Sequence, residues 1–129
     1  MAWIAADPWR FQGMTVGDGQ CVAYVRAVCG APHTSTWRAG AVPTIATPTG
    51  TAIATFNPDG RYGNHTDGRS HTAVLLSVRP EGLHVMDQWV GRKVATRVIR
   101  SKRGQGLACD DGDQYRVIEH SADAGPAAA

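Results

Sequence analysis

Residues 18–32 read Asp18-Gly19-Gln20-Cys21-Val22-Ala23-Tyr24-Val25-Arg26-Ala27-Val28-Cys29-Gly30-Ala31-Pro32. This is the best-marked helix in the chain. Asp18 is a candidate N-cap, Val22, Val25 and Val28 or Cys29 form an apolar stripe at helical spacing, and Gly30 followed by Pro32 stops the run. Cys21 then falls in the first turn. There the unpaired helix-start N–H groups and the positive end of the macrodipole favour thiolate over thiol.

Downstream of residue 50 the periodicity changes from helical to alternating. Residues 51–56, 71–79, 83–90, 94–100 and 114–119 read as strands, with 71–79 and 83–90 forming a hairpin around Pro80-Glu81-Gly82. Residues 31–50 are rich in Thr, Pro and Gly and read as a long connection with one short helix; 57–70 read as a Gly-rich polar loop. A helix followed by an antiparallel sheet of four to five strands is an α+β layout. The segment before the helix, with Trp3, Trp9 and Phe11 around Pro8, reads as an irregular stretch laid over the core.

The chain has 129 residues, 43% of them hydrophobic and 19% charged, with a net charge of +2. That suits one domain over residues 1–120, with a small, polar tail over 121–129 expected to be disordered. Basic residues are scattered except around Arg97, Arg100, Lys102 and Arg103, a pattern typical of a solvated strand end, so no nucleic-acid partner is expected. No window approaches the roughly 20 apolar residues of a membrane span, and the first residues lack the basic and apolar segments of a secretory signal. Neither membrane insertion nor signal-led export is expected. The three cysteines admit two readings: Cys29 and Cys109 form a disulfide and leave Cys21 free, or Cys29 is a small buried apolar residue and Cys109 an incidental loop thiol.

A cysteine nucleophile needs a base and a group that orients the base. His71 alone among the five histidines opens a strongly apolar strand, which would lock its backbone while leaving the ring at the sheet rim. Taken alone, it reads better as a partly exposed histidine that caps a strand. Asp87 shares its face only if paired residues have numbers of even sum, for instance Ser77 opposite Leu83, which sets Asp87 against Ala73. A two-residue loop would turn Asp87 away and pass the orienting role to Gln88. No metal or cofactor is expected: closely spaced Cys/His ligands are absent, and the Gly60-Arg61-Tyr62-Gly63-Asn64 stretch leads into a strand rather than the helix of a phosphate loop.

The segments GQCVAYV at 19–25, PTGTAIATF at 48–56, SHTAVLLSV at 70–78 and GLHVMDQWVG at 82–91 resemble the papain-like peptidoglycan amidases and endopeptidases of the CHAP and NlpC/P60 superfamily. The resemblance implies a papain-like fold, with Cys21 as nucleophile, His71 as general base and acid, and Asp87 as third member. Within that superfamily the chain resembles amidase effectors delivered by type VI secretion. This would imply synthesis in a bacterial cytoplasm, action in a target periplasm on peptidoglycan stem peptides, and a cognate immunity protein. Two rivals remain: a peptidase or acyltransferase of the same fold acting on proteins, and a non-catalytic cell-wall binding module in which Cys21 is structural.

Overall fold

The computed structural model describes residues 2–120. One α-helix, α1 (Cys21–Cys29), precedes a six-stranded antiparallel sheet of order β1-β6-β2-β3-β4-β5. The strands are β1 (Trp37–Ala39), β2 (Ala52–Thr55), β3 (Thr72–Arg79), β4 (Gly82–Trp89), β5 (Arg92–Arg100) and β6 (Tyr115–His120). The layout is α+β, with one strand more than the four to five expected. The additional strand, β1, is a three-residue edge hidden in the Thr- and Pro-rich connection, where it pairs Trp37 with His120 and Ala39 with Ile118. A single 3₁₀ turn over Thr34–Thr36 is the short helix expected there.

The sheet separates two apolar clusters by strand alternation. Tyr24 and Val25 of α1 pack with Ala52, Ala54, Val74, Met86, Val94 and Ile118 on one face. Ile53, Ala73, Leu75, Val85, Ile99, Tyr115 and Val117 line the other. Helix α1 lies across β3 and β4. Its C-terminus ends as the sequence dictates, with Gly30 left-handed at φ 70° and its N–H bonded to the carbonyl of Arg26. Its N-terminus differs: Gln20 occupies the cap position, and Asp18 instead accepts a hydrogen bond from the Gln20 N–H at 3.0 Å, bracing the turn before the helix.

Both ladders of β4 carry an extra residue. In the β3–β4 hairpin Arg79 faces Gly82 across a two-residue turn, an odd-sum register, but the pairing shifts between Leu75 and Ser77, so that Leu75 faces Val85 and Val74 faces Met86. Leu76 is the inserted residue, and below it the sums are even. The specific pairing expected of Ser77 with Leu83 is therefore not formed, since Ser77 faces His84; continued one step, the register still sets Asp87 against Ala73. A second shift between Asp87 and Trp89 puts the extra residue on β5, where Lys93 and Val94 lie opposite Gln88. Strand alternation sets Gln88 on the helix-side face with Met86, toward the segment before α1.

The N-terminal segment is irregular and packed down. Trp3, Phe11 and Val16 pack against the helix-side cluster, and the Tyr24 hydroxyl donates to the carbonyl of Pro8 at 2.7 Å. The tail expected over 121–129 lies outside the described residues.

Candidate active site

Cys21 is the first residue of α1. A left-handed Gly19 at φ 84° forms the preceding turn, its N–H bonded to the carbonyl of Val16 at 3.0 Å. Gln88, fully buried, clamps this turn from the sheet: its amide oxygen accepts from the Val16 N–H at 3.0 Å, and its amide nitrogen donates to the carbonyls of Val16 and Gln20 at 2.8 Å each. The nucleophile candidate is thus tied by its neighbour's backbone to the strand that carries Asp87.

His71 stands immediately before β3. The Thr55 hydroxyl accepts from its N–H at 3.0 Å, and the Thr55 N–H donates to its carbonyl at 3.0 Å, so β2 fixes the backbone of the imidazole. Only 7% of His71 is exposed and none of Asp87. Nε2 of His71 and Oδ2 of Asp87 are 2.7 Å apart, and the same imidazole interacts with the Cys21 thiol. The structure brings all three residues together.

The electrostatics of the three groups are coupled. Burial pushes the Cys21 thiol up, but the hydrogen bond and charge of His71, the Thr72 N–H and the Tyr62 hydroxyl outweigh it and hold the thiol below its ordinary value. Burial pushes His71 down, yet Asp87 and Cys21 raise it to about 9. Burial likewise opposes the charge on Asp87, and His71 and Arg97 overcome it, keeping the carboxyl below the usual range. A lowered thiol facing a raised imidazole is the signature of a thiolate–imidazolium pair. Cys29 and Cys109 differ. Burial drives Cys29 up to about 12, and burial with the nearby Asp110 raises Cys109.

Cys21 and His71 line a cleft of about 620 Å³, together with Asp18, Gln20, Arg26, His33, Tyr62 and Trp89 among others, while Asp87 is buried behind the imidazole. The 57–70 loop forms one wall, through Tyr62, Asn64, His65, Thr66, Gly68 and Ser70. His65 braces it by hydrogen bonding to Asn57 at 2.9 Å. The 31–50 connection contributes His33 and Thr34. Trp37 is fully buried and supports Tyr62 from behind, with ring centroids 5.1 Å apart; Trp89 is 41% exposed in the cleft.

The pairing of Cys29 with Cys109 is corrected by the structure, in which both are free thiols. Cys29 closes α1 against the helix-side cluster with its sulfur toward the Gly50 carbonyl. Cys109 sits on the 3₁₀ turn Ala108–Asp110, held by the Gly68 carbonyl. Separate anchors keep the two sulfurs apart.

Sequence reading missed three contributors. Tyr62 places its hydroxyl 4.0 Å from the Cys21 sulfur, from a loop whose Gly-rich composition signals only a turn. Arg92 and Arg97 bond Asp87 at 2.9 and 2.8 Å; in the sequence Arg92 reads as one of the scattered cations and Arg97 as part of a solvated strand end. For Arg97 a signal existed: in an antiparallel β4–β5 hairpin, an arginine two residues from the acid's partner shares its face and reaches it diagonally, as Arg97 does from beside Ala95.

The family profile of Domesticated amidase effector 2 matches residues 2–118. The chain is similar to the Domesticated amidase effector 2 of Ixodes scapularis, at 33% identity over 88% of this chain and 82% of that protein. It is similar also to the solved structure of a Type 6 secretion amidase effector 2 (Tae2), with a TM-score of 0.78 and 28% identity over 92% of this chain and 94% of the other.

Proposed function

We propose, from the premise that this chain belongs to the Domesticated amidase effector 2 family, that it is a cysteine amidase cutting amide bonds in the peptide stems of peptidoglycan. The observation that carries the reading is the meeting of Cys21 and His71 in one cleft with Asp87 bonded behind the imidazole, the thiol lowered and the imidazole raised. Amidase names among the relatives support the bond type. The stem peptide as substrate, the papain-like mechanism and an antibacterial role are our assignments.

The Cys21 thiolate attacks the amide carbonyl carbon, forming a C–S bond and placing negative charge on the carbonyl oxygen. Two donors stand ready for that charge. The Cys21 N–H, at the first position of the helix, has no intrahelical acceptor, and the Tyr62 hydroxyl faces the sulfur at 4.0 Å. That separation is long for a bond to sulfur, and the oxyanion, on the carbon bonded to that sulfur, lies beside the sulfur and within reach of the hydroxyl. Burial raises the Tyr62 hydroxyl, so it stays protonated and able to donate.

Collapse of the intermediate breaks the C–N bond as the imidazolium of His71 gives its proton to the departing amine. Neutral His71 then takes a proton from water, the oxygen attacks the thioester, and the acid leaves with the thiolate and imidazolium restored. Asp87 holds the ring in the tautomer that this exchange needs.

Incubating purified peptidoglycan with the protein and following the released fragments by mass spectrometry tests the reading. The expected result is paired new amine and carboxyl ends within the stem. Intact stems after prolonged incubation with the folded protein would remove the substrate assignment.

A further inference from the structure

Asp87 serves more cations than an imidazole-orienting group requires. Its Oδ2 accepts both from Nε2 of His71 at 2.7 Å and from Nε of Arg97 at 2.8 Å. Its Oδ1 accepts from Nη1 of Arg92 at 2.9 Å, and the same nitrogen donates to the Asp87 carbonyl at 3.0 Å. Both guanidinium groups lie over the ring of Trp89, with their central carbons 4.4 and 5.1 Å from its centroid, and the edge of that ring meets His71 at 6.2 Å. The two arginine side chains are only 22–23% exposed, so their charges act on Asp87 with little water between.

A buried carboxylate with no other partner would hold the proton on an adjacent imidazole tightly. Such an imidazolium protonates a leaving amine poorly, because a general acid works best when it does not outbind the group it serves. We infer that Arg97, seconded by Arg92, is a positioning residue that sets the acidity of the His71 imidazolium by sharing the carboxylate of Asp87. Its bearing on turnover rests on the cysteine-amidase reading; the effect on His71 itself does not.

The surroundings permit the assignment. Tyr24 of α1 and Tyr115 of β6 also act on Asp87, Cys21 acts on His71, and Asp110 acts on Arg97. Both tyrosines are raised and stay neutral, and Cys21 is the imidazole's own partner. Among the described residues the guanidinium groups are therefore the remaining cations that face the carboxylate. Their removal acts opposite to removal of Asp87, which would lower His71.

The test is an NMR titration of the His71 imidazole in the full chain, in wild type and in the Arg97→Gln, Arg97→Lys, Arg92→Gln and Asp87→Asn variants. The midpoint should rise by about half a unit to one unit in Arg97→Gln, stay close to wild type in Arg97→Lys, rise less in Arg92→Gln and fall in Asp87→Asn. The alkaline limb of kcat/KM should move with it. An unmoved or lowered midpoint in folded Arg97→Gln overturns the inference. If that variant does not fold, an unmoved midpoint in Arg92→Gln does so instead. A shifted titration in a protein that leaves peptidoglycan intact would sustain this inference while removing the amidase reading.

Discussion

Nε2 of His71 meets Oδ2 of Asp87 at 2.7 Å across a hairpin whose two-residue turn has the wrong parity for that contact. Leu76 corrects it. By adding one residue to β3 it restores even-sum pairing from Leu75 onward, so Asp87 emerges on the face of Ala73 and the imidazole. The turn alone would have sent the carboxylate to the opposite side of the sheet.

Replacing Asp87 with Asn keeps the shape and removes the charge that fixes the tautomer of His71. We expect kcat/KM to fall by about 10²–10⁴-fold, with the alkaline limb of the pH profile displaced downward. Circular dichroism should show the fold retained. Full activity in a folded Asp87→Asn protein would contradict the role.

Tyr62→Phe keeps the ring against Trp37 and Phe56 and removes the hydroxyl. Loss of an oxyanion donor predicts a fall in kcat of about 10²–10³-fold with KM nearly unchanged. The thermal midpoint should hardly move. A change confined to KM would make Tyr62 a substrate contact instead.

Much of this arrangement was legible in the sequence because it depends on local chemistry. The Gly19-Gln20-Cys21 run marks a helix start, Gly30 its end, and the apolar run after His71 a buried strand. The exit of Asp87 was legible only as a condition on register, because a bulge at Leu76 leaves no local signature in an apolar run. Strand β1 escaped notice since three residues carry too little alternation, and Tyr62 because its position depends on packing against Phe56 and against Trp37 of a separate strand. Asp18 was displaced from the cap because the left-handed Gly19 lets its carboxylate serve Gln20 instead.

Gln88 touches no substrate position yet holds the approach to the nucleophile. Gln88→Leu leaves the Val16 N–H and the carbonyls of Val16 and Gln20 without their partner. Urea denaturation should show a loss of about 2–4 kcal/mol, and kcat should fall as the start of α1 loosens. Unchanged stability would mean that the clamp is redundant.

Acid should weaken the fold through Asp87. Its carboxyl is held below the ordinary 3.8 in the folded protein, so its stabilising contribution is complete above that value and is lost as pH falls through the lowered folded one. The gap in thermal midpoint between wild type and Asp87→Asn should accordingly be widest near about pH 6 and close on acidification below 3.8. A gap independent of pH would show that the ionised carboxylate is not what stabilises the site.

The rate at which iodoacetamide alkylates Cys21, followed by mass across pH in wild type and in His71→Ala, tests the thiolate–imidazolium pair most directly. The account predicts rapid labelling of wild type already at about pH 6, with Cys29 and Cys109 protected, and a rise only toward the ordinary thiol value of 9.0 once His71 is gone. Wild type that labels like the His71 variant, only as pH nears 9.0, would contradict it.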